Sequence, residues 1–368
     1  MLRFHSLTVS AITPDAEDAV AIALEAPPDL RAEYLGAAGQ HVVVRAQIDA
    51  EEVRRTYSPV NAPGDWPLVI VPRVHAAGKM SRYLAEQLRA GDTLDVLPPN
   101  GSFTARTGGQ RGGSYVAFAA GCGITPVLSV ARALLALPEK RVILFYGNSG
   151  GARTMCLEEL LALKDRYLER LSLHFVMSRE PQEAALYNGR IDGERVRQLA
   201  AALFRPEEIA EYFVCGPGDM IEQVGGSLRA LGVEGSRIHA EHFSVATAGE
   251  GAERATAPEA RAAATEAPAA VPAGAGAEVT VVIDGRRRAF TMQRGGETVL
   301  DAAARAGIEL PFSCRAGVCS TCRTKVVSGE VEMAQNYALE DWELEQGYVL
   351  ACQSRVKSAV LELDYDEK

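Results

Sequence analysis

Four cysteines near the carboxyl terminus constrain this chain more than any other feature of its sequence. Cys314, Cys319 and Cys322 stand as C-x4-C-x2-C, and Cys352 follows further along. This is the plant-type 2Fe-2S spacing, in which one tight loop supplies three thiolates and a returning segment supplies the fourth. We expect the amides of residues 315–318 to surround the sulfides and to stabilise the reduced state.

Two other interpretations of these cysteines are weaker. Structural zinc sites usually show two close cysteine pairs, whereas Cys352 has no cysteine beside it. Buried thiols without a ligand are disfavoured because Arg315, Ser320 and Thr321 make the loop polar. The chain has seven cysteines, an odd number, so complete disulfide pairing within it is impossible.

Charge and composition limit the partners and the compartment. A net charge of −10 disfavours a nucleic-acid backbone or an anionic membrane as a broad partner. The first residues lack the apolar centre of a secretory signal. The uncharged stretch 112–131 contains GCGITP, whose glycines and proline would break a membrane-spanning helix. We therefore expect a cytoplasmic protein with no membrane partner.

A low-complexity segment divides the chain. Ser244–Ala277 consists almost entirely of Ala, Gly, Pro, Glu, Thr and Arg, so it predicts a flexible linker. Short β-like runs in residues 1–106 predict an antiparallel barrel. Strands alternate with helices in residues 114–243, which predicts a parallel sheet with crossover helices. Residues 278–368 form a separate domain that begins with a hairpin around Asp284-Gly285.

Two short motifs in the barrel region suit a pyrophosphate. The first is Arg55-Thr56-Tyr57-Ser58, and the second is Gly78-Lys79-Met80-Ser81, which opens a predicted helix with Ser81 as its N-cap. Free amides and the helix dipole favour an anion at such a start. Arg55 would add a bidentate contact and Tyr57 an aromatic face. Each motif alone is weak, since an R-x-Y-S tetrapeptide is more often an exposed strand.

Two turns in the α/β region mark a second binding site. Gly121, Gly123, Ile124, Thr125 and Pro126 form a G-x-G-I-T-P turn between a strand and a helix. We expect Thr125 to cap that helix and Pro126 to be its first residue. The sequence Cys215-Gly216-Pro217 follows another strand, where a crevice lies at the carboxyl end of a parallel sheet. A buried cysteine before a turn is an equally weighted alternative there.

These motifs resemble two known families. CRAGVCSTCR and LACQS resemble plant-type ferredoxins, which implies a β-grasp fold and one-electron transfer for residues 278–368. R-x-Y-S, G-x-x-S and G-x-G-I-T-P, in that order, resemble the ferredoxin-NADP reductase superfamily. That resemblance implies FAD contacts at both barrel motifs, with Ser58 near the flavin N5. It also implies that Cys215 borders the nicotinamide ring. The ring edge would be lined largely by the backbone of Arg73, Val74 and His75.

The residues after the third predicted strand of the α/β region bear on the choice of nicotinamide cofactor. Ser178 and Arg179 stand where the adenosine ribose should lie. An acidic residue there would favour NADH, whereas Ser and Arg suit a 2′-phosphate. We therefore expect NADPH rather than NADH. Tyr187 and Arg190 are equally plausible as helpers or as surface residues.

Two roles are possible for Phe243, which stands just before the predicted linker. In related reductases an aromatic residue near this position can cover the flavin, which makes Phe243 a candidate. Glu241 would then be a proton or positioning partner. Packing of Phe243 in the domain interface is at least as plausible. His5, His41 and His174 show no metal-binding spacing and are taken as structural.

The whole chain resembles the reductase components of oxygenases. The resemblance implies an NAD(P)H-dependent oxidoreductase that passes electrons through FAD and a 2Fe-2S cluster to a partner oxygenase. Two alternatives stay open. One is a reductase that serves a Rieske-type or steroid hydroxylase, and the other is a non-catalytic electron-carrier or binding module.

Overall fold

A computed structural model describes residues 3–106, 113–243 and 276–367. The chain divides into a larger unit, Phe4–Phe243, and a second unit that contains the C-terminal residues. The predicted linker lies outside the described residues except at its end, where a strand begins at Gly276. The predicted domain boundaries remain predictions.

An antiparallel barrel occupies the first part of the larger unit. Its strands are β1 (His5–Ala16), β2 (Ala19–Glu25), β3 (His41–Ile48), β4 (Glu51–Tyr57), β5 (Leu68–Ile70) and β6 (Thr93–Asn100). They pair in the order β4-β3-β6-β1-β2-β5. Pro59, just after β4, bridges Ile70 in β5, and the amide of Val60 donates to the Val69 carbonyl at 2.9 Å. These contacts join the two edge strands, so the predicted barrel is confirmed.

The barrel's only described α-helix is short and begins earlier than the sequence predicts. Helix α1 (Lys79–Arg82) has Gly78 as its N-cap and continues into a π-helical turn, Tyr83–Gln87. The prediction of Ser81 as N-cap is wrong. Ser81 lies inside the first turn, where its hydroxyl donates to the Gly78 carbonyl at 3.3 Å and accepts from the His75 amide at 3.2 Å.

A parallel sheet forms the second part of the larger unit. Its strands are β7 (Ser114–Ala120), β8 (Arg141–Asn148), β9 (Leu171–Met177), β10 (Ile209–Cys215) and β11 (Ile238–Glu241), in the order β11-β10-β7-β8-β9. The helices are α2 (Ile124–Ala136), α3 (Leu157–Arg166), α4 (Gly193–Leu203) and α5 (Gly218–Ala230). All neighbouring strands are parallel, which confirms the α/β prediction.

The start of α2 differs in detail from the prediction. Gly123 is its N-cap, so Thr125 and Pro126 are its second and third residues rather than the cap and the first residue. The Thr125 hydroxyl instead donates back to the Cys122 carbonyl at 3.1 Å. This hydrogen bond ties the first turn of α2 to the glycine turn that precedes it.

The C-terminal unit is a mixed sheet with a helix on it. Its elements are β12 (Gly276–Ile283), β13 (Arg286–Gln293), α6 (Val299–Arg305), β14 (Arg323–Ser328), β15 (Val331–Met333), α7 (Asp341–Glu345), β16 (Tyr348–Leu350), β17 (Ser354–Val356) and β18 (Val360–Asp364). The main sheet has the order β13-β12-β18-β14-β16, and β15 pairs with β17. This arrangement agrees with the predicted β-grasp fold. Among the described residues, no helix combines the length and apolar character needed to cross a membrane.

Candidate functional site

Two side chains that the sequence singled out separately meet inside the larger unit. Ser58 follows β4 and is 1 % exposed, whereas Glu241 ends β11 and is 9 % exposed. The Ser58 hydroxyl donates to Oε2 of Glu241 at 3.4 Å. On the other side of this carboxylate, Nδ1 of His41 lies 3.3 Å from Oε1. The sequence predicted the first two residues for this site but treated His41 as structural.

The cysteine-containing turn lies next to this carboxylate. Cys215 ends β10 and pairs in register with Glu241 of the neighbouring strand. Burial raises the pKa of its thiol well above the ordinary value, and the nearby carboxylate raises it further. Cys215 is therefore a neutral thiol.

The G-x-G-I-T-P turn packs directly on the backbone of this cysteine. A Cβ on Gly123 would lie 2.1 Å from the Cys215 carbonyl oxygen and 2.9 Å from the Gly216 nitrogen. Only glycine allows so close an approach. The structure thus brings the two predicted turns together at the carboxyl end of the sheet, where a crevice binds ligands in α/β folds.

Arg73 connects the barrel to the same turn. Its guanidinium forms an ion pair with Asp18 at 3.2 Å and donates to the Arg153 carbonyl at 2.6 Å. A Cβ on Gly121, whose φ is +54°, would lie 2.8 Å from the guanidinium. Val74 lies beside it and donates its amide to the Asp18 carbonyl at 2.7 Å. The charge of Arg73 is therefore held close to the predicted nicotinamide turn.

The two barrel motifs lie on neighbouring elements. Lys79 of α1 forms an ion pair with Glu51 at the start of β4, with the two atoms 2.5 Å apart. At the other end of β4, the Arg55 guanidinium donates to the Arg54 carbonyl at 2.7 Å. Burial raises the pKa of the Tyr57 phenol, so it stays neutral. Thr56 and Tyr57 are half-buried, and Met80 is fully buried in the barrel core.

The predicted ribose-binding residues are exposed at the end of β9. The amides of Ser178 and Arg179 donate to the carbonyls of Asn148 and Ser149 at 2.9 and 3.0 Å. Their side chains extend into solvent. Glu180 is the next residue, and its carboxylate is held by a hydrogen bond that it accepts from the Gly151 amide at 2.7 Å.

The other predicted residues near these turns have structural surroundings. Ile124, Thr125 and Pro126 are buried in the first turn of α2, and Pro217 is the N-cap of α5. Phe243 packs against the core of the larger unit. Tyr187 donates to or accepts from His174 at 2.9 Å, and Arg190 is highly exposed.

The cysteine loop of the C-terminal unit turns sharply at three residues with positive φ. Arg315, Gly317 and Ser320 have φ values of +55°, +74° and +48°. These turns bend the chain around Cys314, and the amide of Ala316 donates to its sulfur at 3.3 Å. Amides that point at sulfur stabilise thiolate ligands and the negative charge of an iron–sulfur cluster.

The four cysteine sulfurs converge without forming a compact tetrahedron. Hydrogen bonds from the Cys319 and Cys352 thiols lower the pKa of Cys314 to about 2. Cys352 also contacts Cys322. Yet in the described parts of the chain, no three of these sulfurs lie within 4.8 Å of one another. Four zinc ligands at about 2.3 Å from one ion would all be about 3.8 Å apart. The donor set therefore fits two irons better than one zinc.

Comparisons with known proteins agree with this geometry. Family models match residues 18–105 as an oxidoreductase FAD-binding domain, 118–225 as an oxidoreductase NAD-binding domain, and 281–357 as a 2Fe-2S iron–sulfur cluster binding domain. The chain is 38 % identical to a component of the 1,2-phenylacetyl-CoA epoxidase of Escherichia coli, over all of this chain and 99 % of that one. The chain belongs to the family of flavin- and iron–sulfur-containing oxygenase reductases.

Other relatives also match nearly the whole of this chain. The ferredoxin reductase component of 3-ketosteroid-9-alpha-monooxygenase from Rhodococcus rhodochrous is 31 % identical over 98 % of this chain and 96 % of its own. The fold also matches phthalate dioxygenase reductase, with a TM-score of 0.56 and 23 % identity over 98 % of both chains. The motifs CRAGVCSTCR, GYVLACQ and NGRIDGE predict a relationship to the phenylacetyl-CoA epoxidase reductase, and the comparison confirms it.

The reductase is thus an NAD(P)H-dependent oxidoreductase with binding domains for FAD, a nicotinamide dinucleotide and a 2Fe-2S cluster. The interpretation as a non-catalytic binding module is therefore wrong. Sequence reasoning missed His41, Asp18 and Arg153, which contact predicted site residues from distant parts of the chain. Only His41 carried a signal, as a histidine followed directly by three valines in its strand.

Proposed function

We propose that this reductase takes electrons from NADPH and passes them one at a time to the oxygenase of a multicomponent phenylacetyl-CoA epoxidase in aerobic phenylacetate degradation. The observation that carries the choice of partner is the 38 % identity to the Escherichia coli component over both full lengths. A ketosteroid or Rieske-type oxygenase is the second candidate, favoured by the 31 % identity to the Rhodococcus component.

FAD supplies the step that the side chains cannot, since a flavin accepts a hydride and gives up single electrons. Arg55, the Thr56 and Tyr57 backbone and the Gly78–Ser81 turn would hold it in the barrel. Arg73, Val74 and His75 would line its ring edge. Ser58 would face its N5.

The α/β part would position the nicotinamide cofactor. Gly121, Gly123 and the residues Ile124, Thr125 and Pro126 form the turn, and the Cys215-Gly216-Pro217 segment forms its other wall. The neutral, buried thiol of Cys215 suits a contact with an uncharged ring. Phe243 would exclude water from the ring from its place on the core.

The preference for NADPH rests on the exposed end of β9. Ser178 and Arg179 present a hydroxyl and a guanidinium to solvent, and both suit a 2′-phosphate. The nearest carboxylate, that of Glu180, is turned toward the Gly151 amide. It would therefore repel a phosphate less than a free carboxylate would.

The four thiolates of Cys314, Cys319, Cys322 and Cys352 would hold the cluster. A plant-type cluster has a potential of about −400 mV, low enough to reduce an oxygenase metal centre of higher potential. The cluster would be the last electron carrier in this chain before the partner protein.

The route is tested with purified full-length protein and the variant Cys314→Ser. We expect the variant to lose cluster absorption and cytochrome c reduction but to keep ferricyanide reduction, which needs only the flavin. Cys156→Ser is the matched control, because Cys156 is a buried, neutral cysteine outside the loop. Unchanged cytochrome c reduction in Cys314→Ser would contradict the route.

The partner is tested by reconstitution. The reductase is mixed with the purified oxygenase of phenylacetyl-CoA epoxidase and, separately, with a ketosteroid oxygenase, and product formation per NADPH is measured. Coupled turnover with the first alone supports the proposal. Coupled turnover with the ketosteroid oxygenase alone would transfer the assignment to the second candidate.

A further inference from the structure

Three polar side chains from distant segments form one buried network in the larger unit. His41 begins β3 and is 3 % exposed, Ser58 follows β4, and Glu241 ends β11. The carboxylate lies between the other two, with Oε1 3.3 Å from Nδ1 of His41 and Oε2 3.4 Å from the Ser58 hydroxyl. His41 belongs to the barrel and Glu241 to the parallel sheet. The network therefore joins both parts of the unit.

The imidazole of His41 also packs closely against the backbone of Gly101, near the ring edge that carries Nδ1. A Cβ on Gly101 would lie 3.0 Å from Nδ1 and 3.1 Å from Cε1, so the ring packs against bare backbone. Gln40, the preceding residue, fixes that backbone by donating its side-chain amide to the Gly101 carbonyl at 3.0 Å. Within the described part of the chain, Nε2 of His41 has no hydrogen-bond partner. The ring is therefore oriented by its contact with Glu241 rather than by a second bond.

The carboxylate needs a donor in this position. A buried carboxylate is costly unless hydrogen bonds compensate the lost water. The Ser58 hydroxyl supplies one bond. The neighbouring Cys215 thiol is buried and neutral, and the carboxylate itself raises the pKa of that thiol. Nδ1 of His41 lies within hydrogen-bond distance of Oε1, so with a proton on Nδ1 the imidazole would supply the second bond and would leave Oε2 facing Ser58.

We propose that His41 is a positioning residue that holds Glu241 ready to accept a proton from Ser58 during electron transfer. The proposal rests on the proposed function. Two one-electron acceptors A oxidise the cofactor according to NAD(P)H + 2 A(ox) → NAD(P)⁺ + 2 A(red) + H⁺. One proton must therefore leave the buried site in each cycle. The Ser58 hydroxyl would pass its proton to Oε2 of Glu241 and would take up the proton that the reduced cofactor releases, while Nδ1–H stays bonded to Oε1. Glu241 would then release the proton to solvent, which closes the cycle.

The ionisable groups that face this network are few. Among the described residues they are His41 and Glu241 themselves, Cys215 on β10, and Cys122 in the turn before α2, which interacts electrostatically with Cys215. Burial raises the pKa of both thiols, so neither competes for the proton near neutral pH. Both variants of His41 described below lack the imidazole, so a difference in pH dependence between them is attributable to the carboxylate.

Two variants of nearly equal shape separate positioning from packing. His41→Asn keeps an N–H donor at the position of Nδ1, and His41→Leu replaces it with a methyl group. Both leave a similar gap where the rest of the ring was. A purely structural role would affect them equally, whereas the proposed role predicts that only His41→Leu loses function.

The kinetic test uses the full chain loaded with FAD and its cluster. We expect kcat for cytochrome c reduction by NADPH to fall about tenfold or more in His41→Leu, by loss of one hydrogen bond to a charged group. His41→Asn should stay within about threefold of the unchanged protein, and KM should change little in either. Equal rates in the two variants would overturn the proposal.

A second readout needs no flavin. In the FAD-free full chain, His41→Leu leaves the Glu241 carboxylate with less compensation, so ionising it costs more in the folded state. Its melting temperature should fall relative to that of His41→Asn as pH rises from about 5 to about 8. A constant difference across that range would refute the role of His41 as donor. If the unchanged protein bound no flavin, the proposed function would be wrong. The melting comparison would still test His41, because it uses protein without FAD.

Discussion

Replacing Gly123 with alanine tests whether the two turns must pack as closely as the structure shows. The new Cβ would lie 2.1 Å from the Cys215 carbonyl oxygen and 2.4 Å from its carbon, below the 3.0 Å that real Cβ atoms keep. The atoms it meets are backbone atoms, which cannot rotate away. The turn or the end of β10 must therefore move by about 0.9 Å, the difference between 3.0 and 2.1 Å.

The size of the effect follows from the cost of overpacking. Inserting one carbon into a tightly packed region destabilises by about 1–3 kcal/mol. For a unit of roughly 200–250 residues, 2 kcal/mol lowers the melting temperature by about 4–8 °C. Because the shifted turn belongs to the proposed nicotinamide site, we also expect KM for NADPH to rise about tenfold or more.

The assay compares Gly123→Ala with Gly226→Ala. Gly226 lies in α5, and a Cβ there would meet nothing within 4 Å. Alanine at that position should stabilise by about 0.5–1 kcal/mol through helix propensity. The visible absorption of the cluster reports separately on the C-terminal domain in both variants. If Gly123→Ala melted like the unchanged protein and kept its KM, the close packing would be refuted.

Three further predictions concern other parts of the chain. Arg179→Ala should raise KM for NADPH about tenfold and leave KM for NADH nearly unchanged; equal changes would remove the 2′-phosphate assignment. Burial raises the pKa of Asp15 from 3.8, although its carboxylate accepts from the Cys156 amide at 3.1 Å. The folded state therefore holds the proton more tightly, and this contribution to stability is lost as pH rises through the raised value. The melting temperature of Asp15→Asn should fall less than that of the unchanged protein as pH rises from 3.8 through the raised value, and an identical pH profile would contradict this. Gly317→Ala should lower cluster content, because φ is +74° and its Cβ would lie 3.1 Å from the Gln335 carbonyl oxygen; full iron and sulfide content would exclude this strain.

Local signals in the sequence predicted much of the fold. The Asp284-Gly285 hairpin forms as expected, because both residues adopt the positive φ values of a tight turn, 51° and 67°. Helix α4 covers the predicted GERVRQLAAAL segment from end to end. Helix α7 was not predicted, because five residues are too few to show a helical period.

The helix starts show where local rules fail. Ser81 and Thr125 are favourable N-caps by residue type, yet glycine caps both helices. In each case the glycine is needed for a close approach, since a Cβ on Gly78 would lie 2.4 Å from the Ser81 hydroxyl. For Gly123 the close approach is tertiary, to the backbone of Cys215, whereas for Gly78 it is local. The hydroxyl stands two or three positions after the cap in each helix.

The site itself could be predicted only as far as its motifs are contiguous. A hydride-transfer site that excludes water needs walls from two folding layers, so its polar groups come from segments far apart in the chain. Glu241 is separated from His41 by 200 residues and from Ser58 by 183. The register of β11 beside Cys215 brings the carboxylate to the barrel, and no pattern of spacing encodes that register. The sequence marks this contact only weakly, because His41 differs from other polar residues of β3 only in that three valines follow it directly.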